Sequence, residues 1–190
     1  MNICIYGASS DIIDREYIAE GEKLGRILAE RGHTLIFGGG NGGLMGAAAR
    51  GFYEKGGKIV GIAPSFFNVD GVLFPHCDEF HYTETMRERK QLMEDMSDVF
   101  VMTPGGIGTY EEFFEILTLK QLGRHNKPIV VLNTKNYFRS LLSQLRDTVD
   151  GGFMKEACLS LYTLCDTPGE VLSALDSGGS TGNISDYKNI

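Results

Sequence analysis

Pro104-Gly105-Gly106-Ile107-Gly108-Thr109-Tyr110-Glu111-Glu112 is the stretch on which the fold turns. It follows Val99-Phe100-Val101-Met102, a short apolar run that reads as a buried strand. It precedes Phe113-Phe114-Glu115-Ile116-Leu117, which reads as a helix. A glycine-rich turn between a strand and a helix leaves bare backbone N–H groups at a helix N-terminus, a site suited to phosphate. Thr109-x-x-Glu112 also fits a capping box, in which Thr109 and Glu112 would simply close the helix start. Three preceding glycines are more than a cap requires, and a phosphate at those N–H groups would leave Glu112 free beside the ligand.

Working outward, the same alternation repeats. Asn2–Tyr6 reads as a strand ending in Gly7-Ala8-Ser9-Ser10, and Asp14 is placed to cap a helix running to about Arg31, with Gly32 closing it. Thr34–Phe37 is a second strand, ending in Gly38-Gly39-Gly40-Asn41-Gly42-Gly43 and a small-residue helix that Gly56-Gly57 stops. Lys58–Ala63 is a third strand, ended by Pro64, and Ser65–Asp78 reads as an irregular loop. Phe80-His81-Tyr82 is a short strand, and Thr85 opens a helix with Met86, Leu92, Met93 and Met96 on its apolar side. The helix to about Leu122 is apolar round much of its circumference, which implies a central position or a subunit interface. Ile129–Leu132 is a strand, Tyr137 to Val149 a helical stripe, Leu161–Leu164 a last strand and Pro168–Leu175 a last helix. Strands alternating with helices imply parallel pairing through right-handed crossovers. The expectation is a single α/β domain over residues 1–176, a Rossmann-like doubly wound parallel sheet, with 177–190 as a mobile Gly/Ser-rich tail. Ligands bind such sheets beyond the carboxyl ends of the strands, where the three small turns would meet.

The 190 residues carry a net charge of -7, which disfavours a nucleic-acid surface, and 42% hydrophobic content, enough for a real core. No apolar run reaches the roughly 18 residues of a membrane span, and no leader opens the chain. Four cysteines without metal or finger spacing suit a reducing cytoplasm, where the protein is expected. His33, His76, His81 and His125 lack ligand spacing; His76-Cys77 with His81 reads as chance, so no metal is expected. The glycine clusters lack both the P-loop ending and the acidic residue that would follow a dinucleotide turn. Arg87, Arg89 and Lys90 fit a solvated helix face, yet their helix leads directly into the Val99 strand, so its start lies near the same sheet edge. An arginine there would match phosphate geometry.

Together these pieces resemble the LOG ("lonely guy") family, whose members are often labelled possible lysine decarboxylases. Its PGGxGTxxE hallmark is matched by Pro104, Gly105, Gly106, Gly108, Thr109 and Glu112. Met86-Arg87-Glu88-Arg89-Lys90 matches its Met-His-x-Arg-Lys run except for Arg87. Gly38–Gly46 looks like its GGGxxGLMG, and Gln121-Leu122-Gly123-x-His125-x-Lys127-Pro128 is also similar. The resemblance implies hydrolysis of the N-glycosidic bond of AMP or an N6-modified AMP (a cytokinin nucleotide) to free base and ribose 5-phosphate, by a homodimer without a cofactor. It implies Arg89 and Glu112 as catalytic. Ser9, Gly39, Asn41, Gly43, Met86, Lys90, Gly105, Gly106, Ile107, Gly108, Thr109 and Thr118 are the substrate contacts expected with it.

The decarboxylase label would need a Schiff-base lysine with partners, and none is identifiable. Three departures bear on which base is taken: Pro64 is followed by Ser65-Phe66-Phe67 without the family's acidic residue, the first loop reads Tyr6-Gly7-Ala8-Ser9-Ser10, and Thr103 replaces an apolar residue. A reading from another class is a binding module for a phosphorylated ligand such as molybdenum cofactor. A third is a DNA-processing relative of the fold, which the acidic charge disfavours.

Overall fold

The computed structural model describes residues 1–178. Seven strands, β1 (Asn2–Tyr6), β2 (Thr34–Phe37), β3 (Lys58–Pro64), β4 (Glu79–Thr83), β5 (Val99–Met102), β6 (Ile129–Leu132) and β7 (Thr163–Cys165), form one sheet in the order β4-β3-β2-β1-β5-β6-β7. Every strand pair is parallel. Six α-helices alternate with the strands: α1 (Arg15–Glu30), α2 (Gly43–Glu54), α3 (Met86–Met96), α4 (Ile107–Gln121), α5 (Arg139–Asp150) and α6 (Pro168–Asp176). The chain winds outward from β1 to β4, then returns to place β5 against the other side of β1. That reversal puts the switch point between the carboxyl ends of β1 and β5, where a crevice forms in sheets of this kind. The tail expected at 177–190 lies almost wholly outside the described residues.

The strands' period of two splits the core into two layers. Ile3, Ile5, Leu35, Phe37, Val99 and Val101 pack on α1, α2 and α6 through Leu24, Leu28, Phe52 and Val171. Cys4, Tyr6, Ile36, Phe100 and Met102 face the opposite way, onto Met93 of α3 and Phe113, Ile116 and Leu117 of α4. Cys4 is fully buried, and burial pushes its thiol up to about 12, so it behaves as a small apolar residue. On one layer α1 and α2 touch backbone to backbone: a Cβ at Gly25 would collide with the Ala48 carbonyl, and one at Gly51 with the Glu22 carbonyl.

Two sequence expectations need correcting here. The helix expected from Tyr137 starts later, at Arg139, because a short 3-10 turn (Thr134–Asn136) intervenes. Lys135 and Asn136 adopt left-handed φ values of 55° and 57° there, and Asn133 Oδ1 accepts the Phe138 N–H. The loop from Ser65 to Asp78 is not featureless. It opens with a 3-10 turn (Ser65–Phe67) and is pinned across the Gly38–Gly43 turn by a bridge between Gly40 and Leu73. The Asn41 N–H donates to the Val72 carbonyl and the Phe74 N–H to the Gly39 carbonyl.

Thr103, anomalous as a sequence position, is fully buried at the end of β5. Both its N–H and its hydroxyl donate to the Tyr6 carbonyl, at 2.8 and 2.9 Å, tying the two strand ends that border the switch point. Thr103→Val keeps the shape and removes one of these bonds, so it should destabilise the fold by about 1 kcal/mol, read as a lower urea midpoint at unchanged slope.

Candidate active site

The site is assembled from three strand ends. The Ala8 N–H donates to the Pro104 carbonyl at 3.0 Å, and the Met45 N–H donates to the Ala8 carbonyl at 3.2 Å. The β1 loop is therefore held between the start of α2 and the turn before α4. A cleft of about 280 Å³ opens beside it, lined by Ser9 and Met45 above, Gly106, Ile107, Gly108 and Thr109 along one wall, and Arg89 and Glu112 at the floor. A larger cavity of about 400 Å³ adjoins it, sharing Ser9, Met45 and Arg89. Its roof comes from the pinned loop, through Phe67, Gly71, Val72 and Leu73.

Thr109 and Glu112 do not form a capping box, as the extra glycines led one to expect. Helix α4 starts three residues earlier than such a box requires, with Gly106 as its N-cap and no side chain closing it. Thr109 instead packs its hydroxyl against Gly105, where a Cβ would strike it. The capping box is made one helix back, by Thr85 and Glu88 at the start of α3. Helix α4 therefore keeps its first N–H groups for an anion, with no acidic residue in its first turn to compete.

Glu112, released from capping, points at α3. Its Oε1 accepts from Arg89 Nη1 at 2.9 Å, with the two residues only 8% and 6% exposed. Arg89 is thus no solvated residue. Its Nε also donates to the Ile62 carbonyl at 3.3 Å, which fixes the guanidinium plane under the β3 end. Burial pushes the Glu112 carboxyl up from its ordinary value, while the Arg89 guanidinium opposes that shift. Tyr6, at the end of β1 in the layer beneath, is also pushed up, above all by burial, so its phenol stays protonated. Gly38 is required beside this pair: a Cβ there would collide with Arg89 Nη2.

The remaining expected residues divide. Ser9, Gly106, Ile107, Gly108 and Thr109 line the cleft. Gly105 lies just behind it, its carbonyl accepting from the Tyr137 hydroxyl at 2.8 Å. Gly39 (φ 76°) packs on Phe80, and the Asn41 backbone is engaged with Val72 and Arg50. The Gly43 N–H is already taken, donating to Asp11 Oδ1 at 2.8 Å. Lys90 points away to Glu111 and Glu115. Met86 and Thr118 are exposed and line neither cavity. Asp11, Met45 and Tyr137 were missed. Each reaches the site through a contact more than 30 residues long in sequence, which no local pattern announces.

The fold and site define a doubly wound α/β protein with an uncapped helix N-terminus over a buried Arg–Glu pair. The chain belongs to the family described as "Possible lysine decarboxylase", the LOG family, whose model matches residues 45–175. It is 39% identical to a cytokinin riboside 5′-monophosphate phosphoribohydrolase of Rhodococcoides fascians over 84% of this chain and 80% of that one. It is 36% identical to a probable cytokinin riboside 5′-monophosphate phosphoribohydrolase of Oryza sativa subsp. japonica, over 91% and 75%. A Moco carrier protein from Chlamydomonas reinhardtii shares the fold, with a TM-score of 0.68 at 24% identity over 93% of this chain and 95% of that one. Decarboxylation through pyridoxal phosphate does not fit the residues, since neither cavity is lined by a lysine that could form the Schiff base. Lys120, whose ammonium burial pulls down to about 8, lies within α4 and lines neither.

The glycines predict a contrast. Gly38→Ala should destabilise the protein by about 1–3 kcal/mol in thermal unfolding, because the methyl group displaces the guanidinium. Gly106→Ala, whose Cβ would enter open space, should stay within about 0.5 kcal/mol of wild type.

Proposed function

We propose that this protein hydrolyses the N-glycosidic bond of AMP or an N6-modified AMP, giving the free base and ribose 5-phosphate. The observation that carries the reading is the buried Arg89–Glu112 pair at the floor of a cleft whose wall is the uncapped start of α4. The relatives' names supply the substrate class.

A 5′-phosphate docks on the N–H groups at Gly106–Thr109, where the helix dipole and unpaired donors favour an anion. This remote anchor positions C1′ near Glu112. Heterolysis of the C1′–N9 bond leaves the electron pair on the base and positive charge on the sugar. The Glu112 carboxylate stabilises that charge and takes a proton from the water that adds to C1′. The departing base takes a proton from solvent, Glu112 returns its proton to solvent, and the sugar leaves as ribose 5-phosphate. Its raised pKa brings Glu112 closer to neutrality, which suits a group that must accept a proton. Arg89 holds Glu112 in place and offers its remaining donors to the substrate.

Incubating the protein with AMP and separating the products by chromatography should yield adenine and ribose 5-phosphate in equal amounts. Glu112→Gln should lower the rate by about 10²-fold or more. Equal rates in the two proteins would overturn the role of Glu112. Thermal stabilisation by AMP without any turnover would favour the binding-module reading instead.

We further propose a homodimer that works in the cytoplasm. Among the described residues no helix is long and apolar enough to cross a membrane, and all four cysteines are free. Phe114 and Leu122, 38% and 50% exposed, leave one side of α4 apolar and uncovered. Light scattering after gel filtration should give twice the 20.9 kDa chain mass, and Phe114→Lys should shift it toward the monomer.

A further inference from the structure

Two glycine turns at this sheet edge feed helices whose N-caps carry no side-chain cap: Gly106 before α4 and Gly42 before α2. Neither helix has an acidic residue in its first turn. Either could serve an anion, yet they differ in one respect. The first N–H of α2, at Gly43, donates to Asp11 Oδ1 across a separation of 32 residues. Asp11 is exposed and lines the larger cavity, the one that shares Ser9, Met45 and Arg89 with the cleft. A carboxylate has about four acceptor sites, so one bond to Gly43 leaves capacity for a donor on a ligand.

A ligand lying across both cavities therefore meets a positive end at α4 and a negative end at Asp11, with the neutralised Arg89–Glu112 pair between. The geometry points to Asp11 as a specificity-determining residue that fixes the charge polarity of the substrate. The phosphate enters at α4, and the base end that reaches the larger cavity must be neutral or cationic and carry a hydrogen-bond donor. This inference rests on the nucleotide reading above and narrows it. Nucleotides whose base carries a carboxylate are rejected, because like charges would face each other across a partly desolvated cavity. The apolar remainder of that wall, Phe67, Val72 and Leu73, then accepts the body of the base or its substituent.

Three ligands of similar size separate charge from bulk: AMP bearing N6-aminoethyl (cationic), N6-propyl (neutral) or N6-carboxymethyl (anionic) substituents. Their dissociation constants are measured by calorimetry on the full chain, each ligand carrying a carbocyclic ring in place of the ribose, so that no oxocarbenium can form and the Arg89–Glu112 pair stays intact. With Asp11 present, the cationic ligand should bind about tenfold or more tightly than the anionic one, and added salt should shrink that gap. In Asp11→Asn the ratio should fall below about threefold. Asp11→Ser, which keeps a short acceptor for the Gly43 N–H, repeats the measurement should the Asn variant unfold. Equal binding of the cationic and anionic ligands with Asp11 present, or a ratio unchanged by both substitutions, overturns the inference. Binding needs no turnover, so a protein that binds the three ligands in the expected order but releases no adenine from AMP refutes the hydrolase and keeps Asp11's role. If none of the three binds, the nucleotide reading and this inference fall together.

Discussion

The buried pair between Arg89 and Glu112 is the constraint that the rest of the site obeys. Taking two charges out of water is expensive, and their attraction offsets the cost only where geometry is good and spare donors find acceptors. Here the guanidinium has a second acceptor in the Ile62 carbonyl and lies against Gly38, where an added Cβ would push it aside. Removing one partner from such a pair generally costs about 3–5 kcal/mol, because the other charge is left uncompensated. Such an arrangement is poor value as a stabilising device, and a pair of packed apolar side chains would serve the fold as well. Its presence at the floor of a cleft, beside free helix N–H groups, is the physical argument that it serves chemistry.

The glycines around the pair divide by what surrounds them. Gly7, Gly38 and Gly105 are places where backbone or a functional side chain approaches too closely for a Cβ. Gly106 and Gly108 face open space. The first group lets the three turns interlock: Gly7 against Thr103, Gly105 against Thr109 and Ala8, all within the seam between β1 and β5. The second group leaves the α4 N-terminus bare on the cleft side. One glycine-rich sequence thus performs two tasks, packing the turn from behind and exposing its donors in front.

Most of the architecture was legible because it depends on short-range regularities. Short apolar runs alternating with helical stripes specified a parallel sheet, and the glycine turns at strand ends located the ligand edge. The failures share a cause. Thr109-x-x-Glu112 and Thr85-x-x-Glu88 have the same local pattern, yet only the second is a cap. Thr85 sits in an extended conformation at a helix start, while Pro104-Gly105-Gly106 bring the chain into helix early, leaving Thr109 already inside. Glu112 then has no cap to close and turns toward α3. That Arg89 would be buried rather than solvated depended on the same event, since its partner is 23 residues away. Tyr137 on the Gly105 carbonyl, Asp11 on the Gly43 N–H and the loop bridged to Gly40 each join segments more than 30 residues apart that meet at one sheet edge, which a one-dimensional pattern does not encode.

The order of charges across the site follows from the same reversal. Because β5 returns beside β1, the uncapped α4 lies on one side of the β1 loop and α2 on the other. Were both helix starts free, the edge would present two equivalent anion sites, and a phosphate could enter from either end. Asp11 breaks that symmetry from within the β1 loop itself, by donating a charge to one helix and none to the other. The buried pair sits where the two fields meet, close to neutral as a unit and therefore indifferent to which way a ligand lies. On the proposed nucleotide reading, orientation would be set at the two ends and reactivity at the middle, since a ligand bound the right way round would bring only its sugar within reach of Glu112.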